Sequence, residues 1–131
     1  MTDSQSYVRH RGKPVVTIWG FGFTDRPGTP GDAVTVINWF KSAGCTVMGG
    51  VPSKWRTLGS DSQTNTAWAA VYRAFDILSP WAVGRYNSTS GADSFKATYI
   101  VPDQTECAAL GIDYMPVVFP GFSWHNLKGD P

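Results

Sequence analysis

Histidine, cysteine and glutamate are scarce in this chain, and their scarcity removes several kinds of chemistry. Two histidines, His10 and His125, and two cysteines, Cys45 and Cys107, are too few and too scattered for a Cys/His metal cluster. Cys45 falls at the start of a strand and Cys107 on a helix, positions that suit a buried free thiol, and nothing in the sequence supports a disulfide between them. A surplus of one charge sign is also missing: 11 basic and 10 acidic residues leave a net charge of +1. With no basic patch or acidic tail, nucleic acid and anionic membranes are poor partners. No apolar run approaches the roughly 20 residues of a membrane helix. Residues 1–14 contain no apolar segment of the kind a signal peptide needs. What remains is one domain of 131 residues with an ordinary hydrophobic content of 42%.

Aromatic residues, by contrast, are plentiful: six Trp, seven Phe and five Tyr. Many would serve simply to fill a core. Their positions suggest a second use. Four short apolar runs, at residues 15–23, 46–51, 77–86 and 114–124, each end in a cluster of aromatic and polar residues. The runs recur at about the length of one βαβ unit, with helical patterns between them. Binding and catalysis in α/β folds sit at the carboxyl ends of the strands, which is where these clusters fall.

The first 12 residues read as a loop or a frayed helix end. Val15-Val16-Thr17-Ile18-Trp19 is the β-branched text of a strand buried on both faces. Thr29-Pro30-Gly31-Asp32 opens a helix, with Thr29 as N-cap and Ala33, Val36, Ile37 and Phe40 as its apolar stripe, and Gly44 closes it. A second strand starts at Thr46-Val47-Met48 and ends at the Gly49-Gly50 pair and Pro52. A polar loop over 53–65 precedes a helix from about Thr66, with Trp68, Val71, Tyr72 and Phe75 at helical spacing. The third strand spans Ile77 to Val83, with Pro80 an awkward member because it lacks a ladder donor. A loop over 87–92 follows. Asp103-Gln104-Thr105-Glu106 has the form of a capping box for a third helix that Gly111 closes, and a fourth strand runs from Tyr114 to Phe119. The order β-α-β-α-β-α-β predicts a parallel sheet, either small and open or half of a (β/α)8 barrel.

Two familiar motifs fail. Gly20-Phe21-Gly22 follows a strand, but the third glycine of a dinucleotide fingerprint would fall at Asp25, and a turn rather than a helix comes next. Gly121-Phe122-Ser123-Trp124-His125 has His125 where a nucleophile elbow needs glycine. No cofactor and no metal are therefore expected. Among the carboxylates, Glu106 and Asp103 belong to the capping box, while Asp76 and Asp113 lie at the amino ends of strands, the stability face of a barrel. Asp25, Asp61 and Asp93 remain near the rim. Asp25, just past a strand tip, is the best catalytic candidate of the three, set against its plain use as a turn residue.

The better-defined group is aromatic and basic: Trp19, Trp55, Arg56, Trp81, Arg85, Tyr86, Trp124, His125 and Asn126 all fall at or just after strand ends. Sugars present apolar C–H faces, which Trp and Tyr cover, and hydroxyls, which Arg, Asn and His can bond. The plainer alternatives are that Trp19 fills the interior of the sheet and that Arg56 is a solvated loop charge.

The strings Gly12 to Phe23, Cys45 to Pro52, Ser79 to Tyr86 and Gly111 to Asn126 resemble the family 71 and 99 type glycoside hydrolases, which include endo-α-mannosidases. The bacterial branch described as xylosidase or arabinosidase proteins is the most similar. The resemblance covers nearly the whole chain. It implies a (β/α)8 barrel of more than twice this length, of which residues 1–131 form about half: four parallel strands in sequential order with three intervening helices. It implies an oligosaccharide or polysaccharide ligand and an exported parent protein. It also implies that the acidic residues lie in a later Asp/Glu-rich segment with no counterpart here. What it carries over is substrate contact by Trp19, Arg85, Tyr86 and the tip Phe122-Ser123-Trp124-His125-Asn126. Half a barrel standing alone is expected to be inactive, and poorly soluble through its open strand edges.

Overall fold

The run Val15–Trp19 does form the body of a strand, and the rest of the sheet grows from it. The computed structural model describes residues 4–119 together with Asn126, Lys128 and Gly129. Strand β1 (Arg9–His10) pairs antiparallel with β2 (Lys13–Trp19). Then follow α1 (Pro30–Ser42), β3 (Thr46–Val51), α2 (Trp68–Tyr72) and β4 (Ile77–Pro80). Helix α3 (Thr89–Phe95) leads through a π-helical turn (Lys96–Ile100) into α4 (Val101–Leu110), and β5 (Asp113–Tyr114) closes the series. The sheet order is β1-β2-β3-β4-β5, with β2 to β5 mutually parallel. This is an α/β half-barrel built on a curled, mostly parallel five-strand sheet. Among the described residues the strand order never reverses, so the sheet they form contains no topological switch point.

The curl can be read from one contact. Four inter-strand spacings would separate β1 from β5 by roughly 19 Å in a flat sheet. Instead His10 Nε2 lies 2.7 Å from Asp113 Oδ2, and Arg11 Nη2 donates to the same oxygen at 2.8 Å. These side chains cross the amino-terminal mouth of the half-barrel. The β1–β2 connection is Arg11-Gly12, with φ of 49° and 79°, the mirror-image turn that suits strand twist. The first 12 residues are thus partly a hairpin, which the sequence reading placed in a loop or helix end.

The core lies between the convex sheet face and the helices. Alternation along the strands sends Ile18, Val47, Val51, Leu78 and Tyr114 to that side, where they meet Ala33, Ile37, Val71, Tyr72, Phe75 and Cys107. Thr17, Met48 and Ile77 form one row on the concave face, and Trp19, Gly50 and Ser79 the next. Gly49 and Gly50 do not end β3; they sit inside it. A Cβ at Gly49 would overlap the Phe75 ring, and one at Gly50 the Trp19 indole. Each glycine is a place where an aromatic ring lies flat on the backbone.

Helix α1 begins as expected: Thr29 Oγ1 accepts from the Asp32 amide at 3.2 Å. Its buried stripe is Ala33 and Ile37, flanked by Val34 and Phe40, whereas Val36 faces solvent. Residues Trp68, Val71, Tyr72 and Phe75 are all buried, as their spacing predicts. Pro80 is accommodated in β4 by parity. Leu78 accepts from Met115 on the β5 side and Trp81 donates to Val51 on the β3 side. The donorless Pro80 nitrogen therefore faces the β5 side, beyond Tyr114, where pairing has already ended.

Three expectations are corrected here. Ser88 caps a helix that starts at Thr89, within the stretch read as a loop. The helical path then continues to Leu110, so Asp103-Gln104-Thr105-Glu106 is interior and not a capping box. Pro102 cannot donate to the carbonyl four residues back, and its ring crowds that carbonyl; the π-helical turn just before it widens the helix and lets the chain pass. Strand β5 is only two residues long, shorter than the expected Tyr114–Phe119.

Candidate functional site

The carboxyl ends of β2, β3 and β4 surround a cleft of about 840 Å³. Trp19, the last residue of β2, and Trp81, the residue after β4, both line it. Their ring centroids are 5.2 Å apart and their planes perpendicular, and Phe23 stacks on Trp19 at 6.2 Å. Trp19 is 47% exposed and Trp81 37%. Together they form an apolar corner that is partly open to solvent. Gly50 is the reason Trp19 can lie there, because a side chain on the neighbouring strand would occupy the same space.

Asp61 holds the polar side of the cleft together. Its carboxylate accepts from the Ser53 amide (2.8 Å), Ser53 Oγ (2.9 Å) and the Lys54 amide (3.3 Å), and it pairs with Arg85. Its own carbonyl accepts from the Thr24 amide at 3.0 Å. The loops after β2 and β3 are further joined by a Phe23–Ser62 bridge and by the Gln63 amide bonding the Gly22 carbonyl at 2.8 Å. Directly before Asp61 the backbone takes three successive positive φ values: Leu58 57°, Gly59 134° and Ser60 54°. For the two non-glycine residues this costs about 1 kcal/mol or more each, so the rest of the loop must hold the conformation in place.

Beneath the cleft, Tyr72 donates to the Gly22 carbonyl at 3.0 Å and meets Ser62 Oγ at 2.9 Å. Burial raises the Tyr72 phenol above its ordinary pKa, outweighing the opposite effect of the Ser62 bond. A Cβ at Gly22 would overlap the Tyr72 hydroxyl, so this glycine serves a tyrosine–backbone bond and not a phosphate. That explains the incomplete dinucleotide motif in physical terms.

Of the residues singled out from sequence, Trp19, Asp25, Trp81 and Arg85 come together in the cleft. The side chain of Asp25 is 73% exposed, and Arg26 Nε stands 3.8 Å from it. Trp55 and Arg56 do not join them. Trp55 is fully buried and donates through its indole N–H to Asp103 Oδ2 at 2.9 Å, while Arg56 Nε bonds Asp103 Oδ1 at 2.8 Å. Their place is a polar knot in the helix layer, where Asp103 is 2% exposed. Burial raises the Asp103 pKa and the bonds from Arg56 and Trp55 oppose it. Tyr86 stacks on Phe119 at 4.7 Å and packs near Phe95 at 5.5 Å, away from the cleft. Asn126 is exposed and does not line the cleft. Phe122, Trp124 and His125 lie outside the described residues.

The sequence reading ranked Asp61 behind Asp25 among the rim carboxylates and passed over Phe23 and Arg26. For Asp61 a signal was present in Leu58-Gly59-Ser60-Asp61-Ser62, a short polar turn after a strand, but turns of that composition are common. Among the described residues no group of three or more His, Cys, Asp or Glu is placed to hold a metal ion. Chemically the cleft offers two partly exposed indoles, the remaining N–H groups of Arg85, and Asp25 and Arg26 at its edge. Comparison of the chain with family models, curated proteins and solved structures finds no match.

Proposed function

We propose that this chain is about half of a (β/α)8 barrel and forms the carbohydrate-binding side of a glycoside hydrolase, with the glycan seated at the carboxyl ends of the strands. The observation that carries this reading is the perpendicular pair Trp19 and Trp81, both partly exposed, sharing one cleft with Arg85. The indoles suit the C–H faces of sugar rings and the guanidinium suits their hydroxyls. Four parallel strands in sequential order, with helices on one face, are half of an eight-stranded barrel's complement. The family resemblance of the strand-end strings points the same way.

The parent reaction is hydrolysis of a glycosidic bond in α-mannan or a related glycan. Such chemistry needs two carboxyl groups, one of them a general acid. In the cleft Asp61 is tied to the loop backbone and to Arg85, and Asp25 is open to solvent. The acid–base pair is therefore assigned to sequence beyond residues 1–131, and this chain by itself is inactive. The test is a titration with xylobiose, arabinobiose and α-mannobiose followed by tryptophan fluorescence. A saturable change that Trp19→Ala and Trp81→Ala abolish is expected, and a protein unresponsive to all three overturns the reading. Robust turnover of aryl glycosides by the chain alone would refute the placement of the acid–base pair elsewhere.

A second reading, a non-catalytic glycan-binding protein of the same fold, is favoured by the same use of Asp61 to tie the loops to Arg85. A paired Asp/Glu strand-end segment in the flanking coding sequence speaks for the enzyme, and its absence for the binder.

A further inference from the structure

We infer that Asp61 is the positioning residue of the cleft: it holds the Arg85 guanidinium against the Trp19–Trp81 corner. The inference rests on the glycan reading for what Arg85 binds, but the positioning itself stands on geometry.

An ionised carboxylate has two oxygens with about four acceptor sites. At Asp61 these are met by two backbone amides and one hydroxyl from the segment after β3 and by Arg85 from the segment after β4. Three of these donors converge on Oδ2, and Oδ1 takes the Lys54 amide together with a second, longer contact from Ser53 Oγ, so both carboxylate oxygens are tied to the loops. The Asp61 side chain is 11% exposed and that of Arg85 32%, so the carboxylate sits behind the guanidinium and the guanidinium faces the opening. Arg85 has five N–H groups, and the bond to Asp61 engages one of its terminal nitrogens. The others are available in a fixed plane, which a flexible arginine on a loop would not provide. Asp61 is itself placed by its carbonyl bond to Thr24 and by the three positive-φ residues before it. One residue thus couples all three strand-end loops to the orientation of one donor group.

The experiment is a double-substitution cycle on the whole chain, with α-mannobiose, xylobiose and arabinobiose as probes and the Arg85 side-chain NMR signals as a second readout. In the parent protein the Arg85 guanidinium N–H signals are expected to be resolved by restricted rotation, and in Asp61→Asn to average. Arg85→Ala and Asp61→Asn should each weaken sugar binding about tenfold, the worth of one hydrogen bond to a charged group. The double variant should bind no more weakly than Arg85→Ala alone. Ser53→Ala is the milder companion should Asp61→Asn not fold. Ser53 does not line the cleft, so any averaging of the Arg85 signals or several-fold loss of affinity it causes must pass through Asp61. A loss from Asp61→Asn that persists undiminished in the Arg85→Ala background overturns the proposal, as does a freely rotating Arg85 in the parent protein. If none of the sugars binds the parent protein, the glycan reading fails, and the NMR arm still decides whether Asp61 orders Arg85.

Discussion

Gly50 is a residue whose meaning lies wholly in what it lacks. The Trp19 indole rests where its side chain would be, so Gly50→Ala forces the ring off the strand. Overpacking of this kind costs about 1–3 kcal/mol. The expected outcome is a lower melting temperature with a changed near-ultraviolet tryptophan signal and loss of sugar-induced fluorescence change. Asp103 makes a different case. Removing it strands the Arg56 charge and the Trp55 N–H in the helix layer, so Asp103→Ala should cost about 3 kcal/mol in urea unfolding. Because burial raises its pKa, the folded state favours the protonated carboxyl. Its contribution to stability is then fully present below the ordinary value of 3.8 and falls as pH rises through the raised value. The stability difference between the parent protein and Asp103→Asn, measured from pH 3 upward, should decline and then level off; a rising difference would contradict the burial argument. At Cys107 burial and the nearby Asp103 and Glu106 charges push the thiol up to about 11. Both cysteines are buried, so neither should react with a thiol reagent at pH 8 until the protein is unfolded, and brisk labelling of the folded chain would show the helix layer to be open.

At the scale of elements, local chemistry was legible wherever a helix or strand is decided by its own residues. The Thr29 cap is one such case, and Thr29→Ala should cost about 1 kcal/mol by thermal unfolding. The spacing of Trp68, Val71 and Tyr72 is another, since each is buried on one helix face, while Phe75 is buried just beyond the helix end. The failures share one cause: a local breaker overruled by packing. Pro102 and the acidic cluster after it have the look of a helix start. The burial of Phe95 on one side and Cys107 on the other keeps the helix going, with a π-helical turn to relieve the proline. Gly49-Gly50 has the look of a strand end, yet the ladder continues because Phe75 and Trp19 supply the bulk that the glycines omit. Ser88 and Thr89 lie in a stretch that reads as loop, and only the cap bond to Gly91 reveals a helix there.

At the scale of the whole molecule, curl is what turns three strand tips into one cleft. It is secured at the opposite end by His10 and Arg11 on Asp113. These groups are partly exposed, so Asp113→Ala should cost about 1 kcal/mol or less, and added salt should shrink the difference from the parent protein. By itself the sequence determined the alternation of strands and helices from β2 onward, the parallel pairing of those strands, and the presence of Trp19, Trp81 and Arg85 at or just after strand ends. Those are consequences of local period, capping and turn chemistry, all of which act within a few residues. Tertiary structure alone decided that Trp55 and Arg56 turn inward to Asp103 while Asp61, from the same loop, turns to Arg85. Both choices depend on which charged group lies across the layer, between residues 47 and 24 positions apart, and no local pattern encodes a partner at that distance.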